Sequence, residues 1–64
     1  MIKYYLGKWG SEQFLCNGGS FSTPPQKGDF IFYDAEPYKV MYTMYDIDHE
    51  EICVFVRMAV EEDY

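Results

Sequence analysis

The sequence predicts one small, mostly β domain, a five-stranded antiparallel barrel that is either closed or half-open. Three observations carry that expectation. At 64 residues the chain has room for a single core, because chains of this size bury only roughly 60% of the surface their unfolded form exposes. Hydrophobic residues make up 48% and aromatic residues 20%, which is enough to fill such a core and argues against disorder. Apolar and polar residues also alternate with a period of two in short runs, separated by turns rich in Gly, Pro and Asp.

Taken in order, Ile2 to Gly7 is rich in Ile, Tyr and Leu and reads as a strand closed by the glycine-bounded turn Gly7-Lys8-Trp9-Gly10. Ser11 to Cys16, SEQFLC, alternates loosely and pairs with it as a hairpin. Asn17 to Gly28, NGGSFSTPPQKG, has the composition of a surface loop, with Phe21 its odd member. Asp29 to Tyr33 is β-prone and is followed by the turn Asp34-Ala35-Glu36-Pro37.

The next two runs are the most regular. Tyr38 to Tyr45 alternates Tyr38, Val40, Tyr42 and Met44 on one face with Lys39, Met41, Thr43 and Tyr45 on the other. Glu51 to Met58 alternates Ile52, Val54, Val56 and Met58 with Glu51, Cys53, Phe55 and Arg57, and the polar DIDHE between the runs joins them as an antiparallel hairpin. A helix over 38–58 is disfavoured by its β-branched and aromatic residues and by the strict alternation from Ile52 onward. Only Met58 to Asp63 suits a short terminal turn. The pattern points Ile52, Val54 and Val56 into the core with Val40 and Phe30.

Five strands with tight turns and one long loop suit an SH3-like barrel, since closure removes sheet edges that so short a chain cannot otherwise cover. Edges and aromatics left over would be covered by a second copy, so a homodimer is expected.

Charge is unevenly spread. Residues 1–28 carry a net of +2 and residues 29–64 a net of −8, giving the overall −6. Such a field repels phosphate backbones, so direct nucleic-acid binding is not expected. The N-terminus, MIKYYLGKWG, lacks the pattern of a signal peptide, and no run approaches the roughly 20 apolar residues of a membrane helix. No membrane partner is expected, and the expected compartment is the cytoplasm, where Cys16 and Cys53 would be reduced thiols.

No catalytic set emerges from the spacing, and the chain is read as a non-enzyme. Asp46, Asp48, His49, Glu50 and Glu51 form the densest group of ligating side chains, but they lack the length and central Gly of a calcium loop and the fourth ligand of a zinc site. They read as a solvated hairpin tip; no metal and no cofactor is expected. The Ser and Thr residues sit in turns without a local base, and Asn17-Gly18-Gly19-Ser20 lacks the Lys and following helix of a phosphate-binding loop.

Seven Tyr, five Phe and one Trp exceed what so small a core encloses, which places several on the surface, among Tyr4, Trp9, Phe21, Tyr33, Tyr38, Tyr45 and Phe55. Exposed aromatics beside a negative field fit a module that binds a protein with a basic surface. The expected binding residues are Asp34, Glu36, Tyr38, Tyr45, Asp46, Asp48, Glu50 and Glu51, provided both acidic turns point to one end of the molecule. Two other classes fit the composition: a nucleotide-like small-molecule sponge, its phosphates held by Lys3, Lys8, Lys27, Arg57 or loop amides, and a structural or virion assembly component.

The segment KGDFIFYDAEPYKVMYTMYDIDHEEICVFV resembles short SH3-like barrel proteins encoded by phages, in which a Gly-Asp strand, a turn, a Tyr-Lys-Val strand and an acidic hairpin follow one another. It spans about half the chain and is a likeness of strand and turn rhythm that brings no functional residues with it. The resemblance implies an accessory protein or inhibitor in the host cytoplasm, acting on a host protein such as a defence factor, with DNA mimicry as one form of that action.

Overall fold

The computed structural model describes residues 2–19, 21 and 23–64; Ser20 and Ser22 of the expected loop lie outside the described residues. Five strands form one sheet in the order β2-β1-β5-β4-β3, curled into a half-barrel. They are β1 (Ile2–Leu6), β2 (Gln13–Asn17), β3 (Phe30–Tyr33), β4 (Glu36–Asp46) and β5 (Glu51–Met58), followed by a 3-10 turn at Glu61–Asp63. Among the described residues no helix is long and apolar enough to cross a membrane.

Pairing departs from the all-antiparallel expectation at one seam. Consecutive strands joined by tight turns are antiparallel, as such turns require, but β1 lies parallel to β5 from Ile2↔Ile52 to Leu6↔Val56. Most of the chain separates these two strands, so no turn dictates their direction. Parallel register places Ile2, Tyr4 and Leu6 on the face of Ile52, Val54 and Val56.

The β3–β4 turn is two residues long. Asp34 (φ 51) and Ala35 (φ 64) both adopt left-handed backbone, matching the strand twist, and Tyr33 pairs directly with Glu36. Glu36 and Pro37, expected in the turn, instead open β4. Pro37 is tolerated in this central strand because it pairs with Phe32 at a position that directs its missing donor away from β3, beyond the end of β5, while its carbonyl accepts from Ala59 N at 3.1 Å.

A bulge between Val40 and Tyr42 alters what the alternation predicts. Up to Val40, which pairs with Val56, β4 presents Tyr38 and Val40 to the core. Met41 is the extra residue; beyond it Tyr42 pairs with Phe55 and Met44 with Cys53, so these two move to the outer face, while Thr43 and Tyr45 join Val54 and Ile52 on the inner one.

The inner face holds the main core of Ile2, Tyr4, Tyr38, Val40, Val54 and Val56, with Leu6, Leu15, Cys16, Ile31 and Ile52 packed against it. The loop before β3 folds over this face, tied by Thr43 Oγ1 donating to Pro25 O (2.6 Å) and by paired bonds of Val40 with Asp29 O and Gly28 N. Phe30, expected in the core, pairs with Lys39 and lies outward; its neighbour Ile31 takes the inner position opposite Tyr38.

The outer face is a second apolar layer. Phe14, Tyr5, Phe55 and Tyr42 form a continuous aromatic row across β2, β1, β5 and β4, with ring centroids 5.0–5.8 Å apart. Phe55 at its centre is 2% exposed. Beside it Phe30, Lys39 and Arg57 form a second row, clamped by the chain's last residues: Asp63 accepts two bonds from Arg57 (2.8 and 2.9 Å) and pairs with Lys39 (3.5 Å), and Tyr64 stacks on Phe30 at 5.2 Å.

Candidate functional site

Seven of the eight expected binding residues divide between two ends of the molecule. β4 is 11 residues long, and its N-terminal end carries Asp34 and Glu36 while its C-terminal end carries Tyr45 and the turn from Asp46 to Glu51. The two acidic turns therefore do not share one end, as the single negative face required. Tyr38 belongs to neither patch: it is 6% exposed and part of the core. Tyr4 and Phe55 are likewise buried, whereas Trp9, Phe21, Tyr33 and Tyr45 are exposed.

The β4–β5 tip gathers the remaining five residues. Around the outer face Asp46 and Asp48 line a cleft of about 380 Å³ with Trp9, Met44, Ile47, His49, Cys53 and Phe55, and Tyr45, which belongs to the inner face, borders it at the strand end. On its other side Tyr45, Asp46, Glu50 and Glu51 border a shallower hollow with Ile47 and Ile52. Trp9 reaches the cleft because the β1–β2 turn arches over the outer face, where its backbone N–H donates to the Tyr42 hydroxyl at 2.8 Å. Ile47 stands at the apex, 83% exposed. An apolar residue inside the otherwise polar DIDHE was the signal that could have marked it.

Electrostatics at the tip are partly settled within the chain. Asp46 and Glu51 pair directly across the strands, where like charges repel. Each has a counter-group: His49 Nδ1 lies 2.9 Å from Asp46, whose carboxyl is held below its ordinary value mainly by this bond, and Lys3 Nζ lies 2.7 Å from Glu51, whose bond raises the lysine. Asp48 and Glu50 make no ion pair among the described residues.

Ligand atoms of Asp46, Glu51 and Cys53 come within 4.8 Å of one another, but both carboxylates already have these partners and burial pushes the Cys53 thiol upward, so a metal would have to displace His49, Lys3 and a proton. Cys16 and Cys53 are free thiols on non-adjacent strands. Cys16 lies on the inner face opposite Tyr4 and Cys53 on the outer face beside Lys3 and Met44, a placement that no disulfide spans.

The cations considered for phosphate are dispersed. Lys3 is engaged by Glu51, while Lys27 and Arg57 meet Lys39 in an open cleft of about 520 Å³ beside Gly28, where Asp63 already engages Arg57 and Lys39. No protein-family profile matches the chain, and neither a curated protein nor a solved structure matches it.

Proposed function

We propose that this chain is a non-enzymatic binding module that docks the β4–β5 tip onto a basic surface of a protein partner. The observation that carries this reading is the tip itself, where exposed Ile47 and Tyr45 lie with Trp9 beside Asp48 on one side and with Glu50 on the other, two acids without a counter-ion among the described residues. The acids would steer a basic surface, and the apolar side chains would supply the desolvated contact that slows dissociation. The resemblance to phage barrel proteins makes a host protein the partner class, with inhibition as the outcome.

The test is capture of partners from host extract by the wild-type chain and by the double variant Asp48→Lys, Glu50→Lys, each at low and high salt. A partner that docks on the tip is lost with the double variant and weakens as salt rises, since screening sets in over about 10 Å at 0.1 M. Tyr45→Ala or Ile47→Ser should speed its dissociation, by ~2 kcal/mol where the residue is an anchor. Capture unchanged by all of these variants would sink the reading. A second reading, the phosphate-bearing small ligand, is favoured by the cleft of Lys27, Lys39 and Arg57. Nucleotide absorbance released from freshly purified protein would support it.

A further inference from the structure

The curled sheet stops short of closing, and its two end strands, β2 and β3, each pair on one side only. Between them runs a groove of about 340 Å³, walled by Phe30–Tyr33 on one side and by Cys16–Gly19 on the other, with Tyr4 on its floor and Phe21 at its rim. Among the described residues no charged one lines it. Gly19 shapes the wall: its φ of +87° suits glycine, and a Cβ there would run into the Phe21 ring.

Backbone register shows what the β3 wall offers. Tyr33 and Glu36 close the two-residue turn as a hydrogen-bonded pair, so Phe32 and Phe30 occupy the alternate positions whose N–H and C=O point away from β4. Two features fit this alternation: Pro37, which lacks an N–H, stands opposite Phe32, and Val40 N donates to Asp29 O at 2.8 Å one step beyond Phe30. The open edge thus presents two donors and two acceptors along an apolar groove.

Charge decides between occupants. Asp29 and Asp34 bracket the four residues of β3, and neither makes an ion pair among the described residues. A second copy added antiparallel along this edge would bring its Asp34 beside Asp29 at both ends of the seam, between chains that each carry −6. A segment with Lys or Arg at its two ends meets the opposite condition.

We propose that the β3 edge is a strand-addition site for an extended, apolar partner segment flanked by basic residues, which pairs with Phe30 and Phe32 and lies in the groove toward β2. It is separate from the β4–β5 tip and does not depend on it. Main-chain bonds would supply the pairing, the groove would select apolar side chains, and Asp29 and Asp34 would select the flanks.

The experiment is a titration of the nitrogen-15-labelled chain with the peptide acetyl-Lys-Val-Phe-Ile-Val-Lys-amide, read by the amide shifts and hydrogen exchange of Phe30 and Phe32. Both amides should shift and exchange more slowly. Replacing both peptide lysines by glutamate should weaken binding at least about tenfold at low salt, since like charges then face each other. Phe32→Pro leaves the ladder to β4 intact because that N–H points outward, and it should weaken binding roughly two- to tenfold, as should N-methylation of alternate peptide amides. Tyr45→Ala and Ile47→Ser should leave peptide binding unchanged while speeding dissociation of the tip's partner, which keeps the two sites distinguishable. The proposal is overturned by amides unmoved at millimolar peptide, by equal binding of the glutamate peptide, or by protection that grows with protein concentration alone and identifies a second copy as the occupant.

Discussion

Phe55→Leu is the sharpest test of a sheet that buries apolar residues on both faces. Phe55 is 2% exposed; its ring lies 5.4 Å from Tyr5 and 5.0 Å from Tyr42. Aromatic pairs contribute about 0.5–1.5 kcal/mol each beyond the area they bury, so losing both costs about 1–3 kcal/mol before any cavity is counted. A domain this small holds roughly 3–10 kcal/mol in all. Phe55→Ala, at about 3–5 kcal/mol, would leave too little folded protein to interpret, which is why leucine is the substitution to measure. A loss of ~2 kcal/mol lowers Tm by ~8–16 °C in a domain of this size, measured by thermal unfolding followed in far- and near-ultraviolet circular dichroism. If Phe55 faced water, as simple alternation along β5 places it, the change would stay within about 0.5 kcal/mol. A Tm lowered by less than ~3 °C would refute the second apolar layer.

Val54 lies next in the chain on the opposite face and is fully buried; Val54→Ala should cost about 1–3 kcal/mol in urea unfolding, and an unchanged midpoint would contradict the register of β5 with β1 and β4. Asp63 supplies a pH dependence: Arg57 above all, with the Val60 N–H, holds its carboxyl well below the usual carboxylate range. A depressed carboxyl stabilises above its unfolded value of about 4 and loses that contribution as pH falls further. Docking of Tyr64 on Phe30 should therefore persist from neutrality to about pH 4 and release in stronger acid, followed by the ring resonances of Tyr64. Asp63→Asn should release it already at neutral pH, and an acid transition that survives the substitution would assign it to another group.

Strands were legible because β-branched and aromatic runs between Gly, Pro and Asp turns leave few alternatives, and all five appear close to their expected places. Which face each residue joins was legible only as far as the first irregularity. Alternation carries a residue's side forward along a strand, so one extra residue, Met41, exchanged the sides of Tyr42, Thr43, Met44 and Tyr45 without any signal in composition. The same limit explains Phe30 and Ile31. Both are apolar and adjacent, and only the two-residue turn at Asp34-Ala35 fixes which one pairs with Tyr38 and faces inward. Expecting water beyond the outer row of β5 was reasonable for a single-layer sheet; it failed because Tyr5, Phe14 and Tyr42, drawn from three other strands, converge on Phe55.

Counting acids located the negative half of the chain but could not show which of them already have a partner. Lys3, Lys39 and Arg57 neutralise Glu51 and Asp63, and His49 binds Asp46. Among the described residues, the expected binding acids that make no ion pair are Asp48 and Glu50 at one end of β4, and Asp34 and Glu36 at the other. The 11-residue strand from Glu36 to Asp46 holds these poles up to about 33 Å apart, less what the bulge and the curl of the sheet take up, which is still well beyond the screening length of about 10 Å at 0.1 M salt. At that separation each pole attracts cations independently of the other. A compact basic patch can therefore engage only one of them, and a partner that engages both must present two basic regions at that spacing, or an extended segment that runs along the β3 edge and continues past the body of the domain.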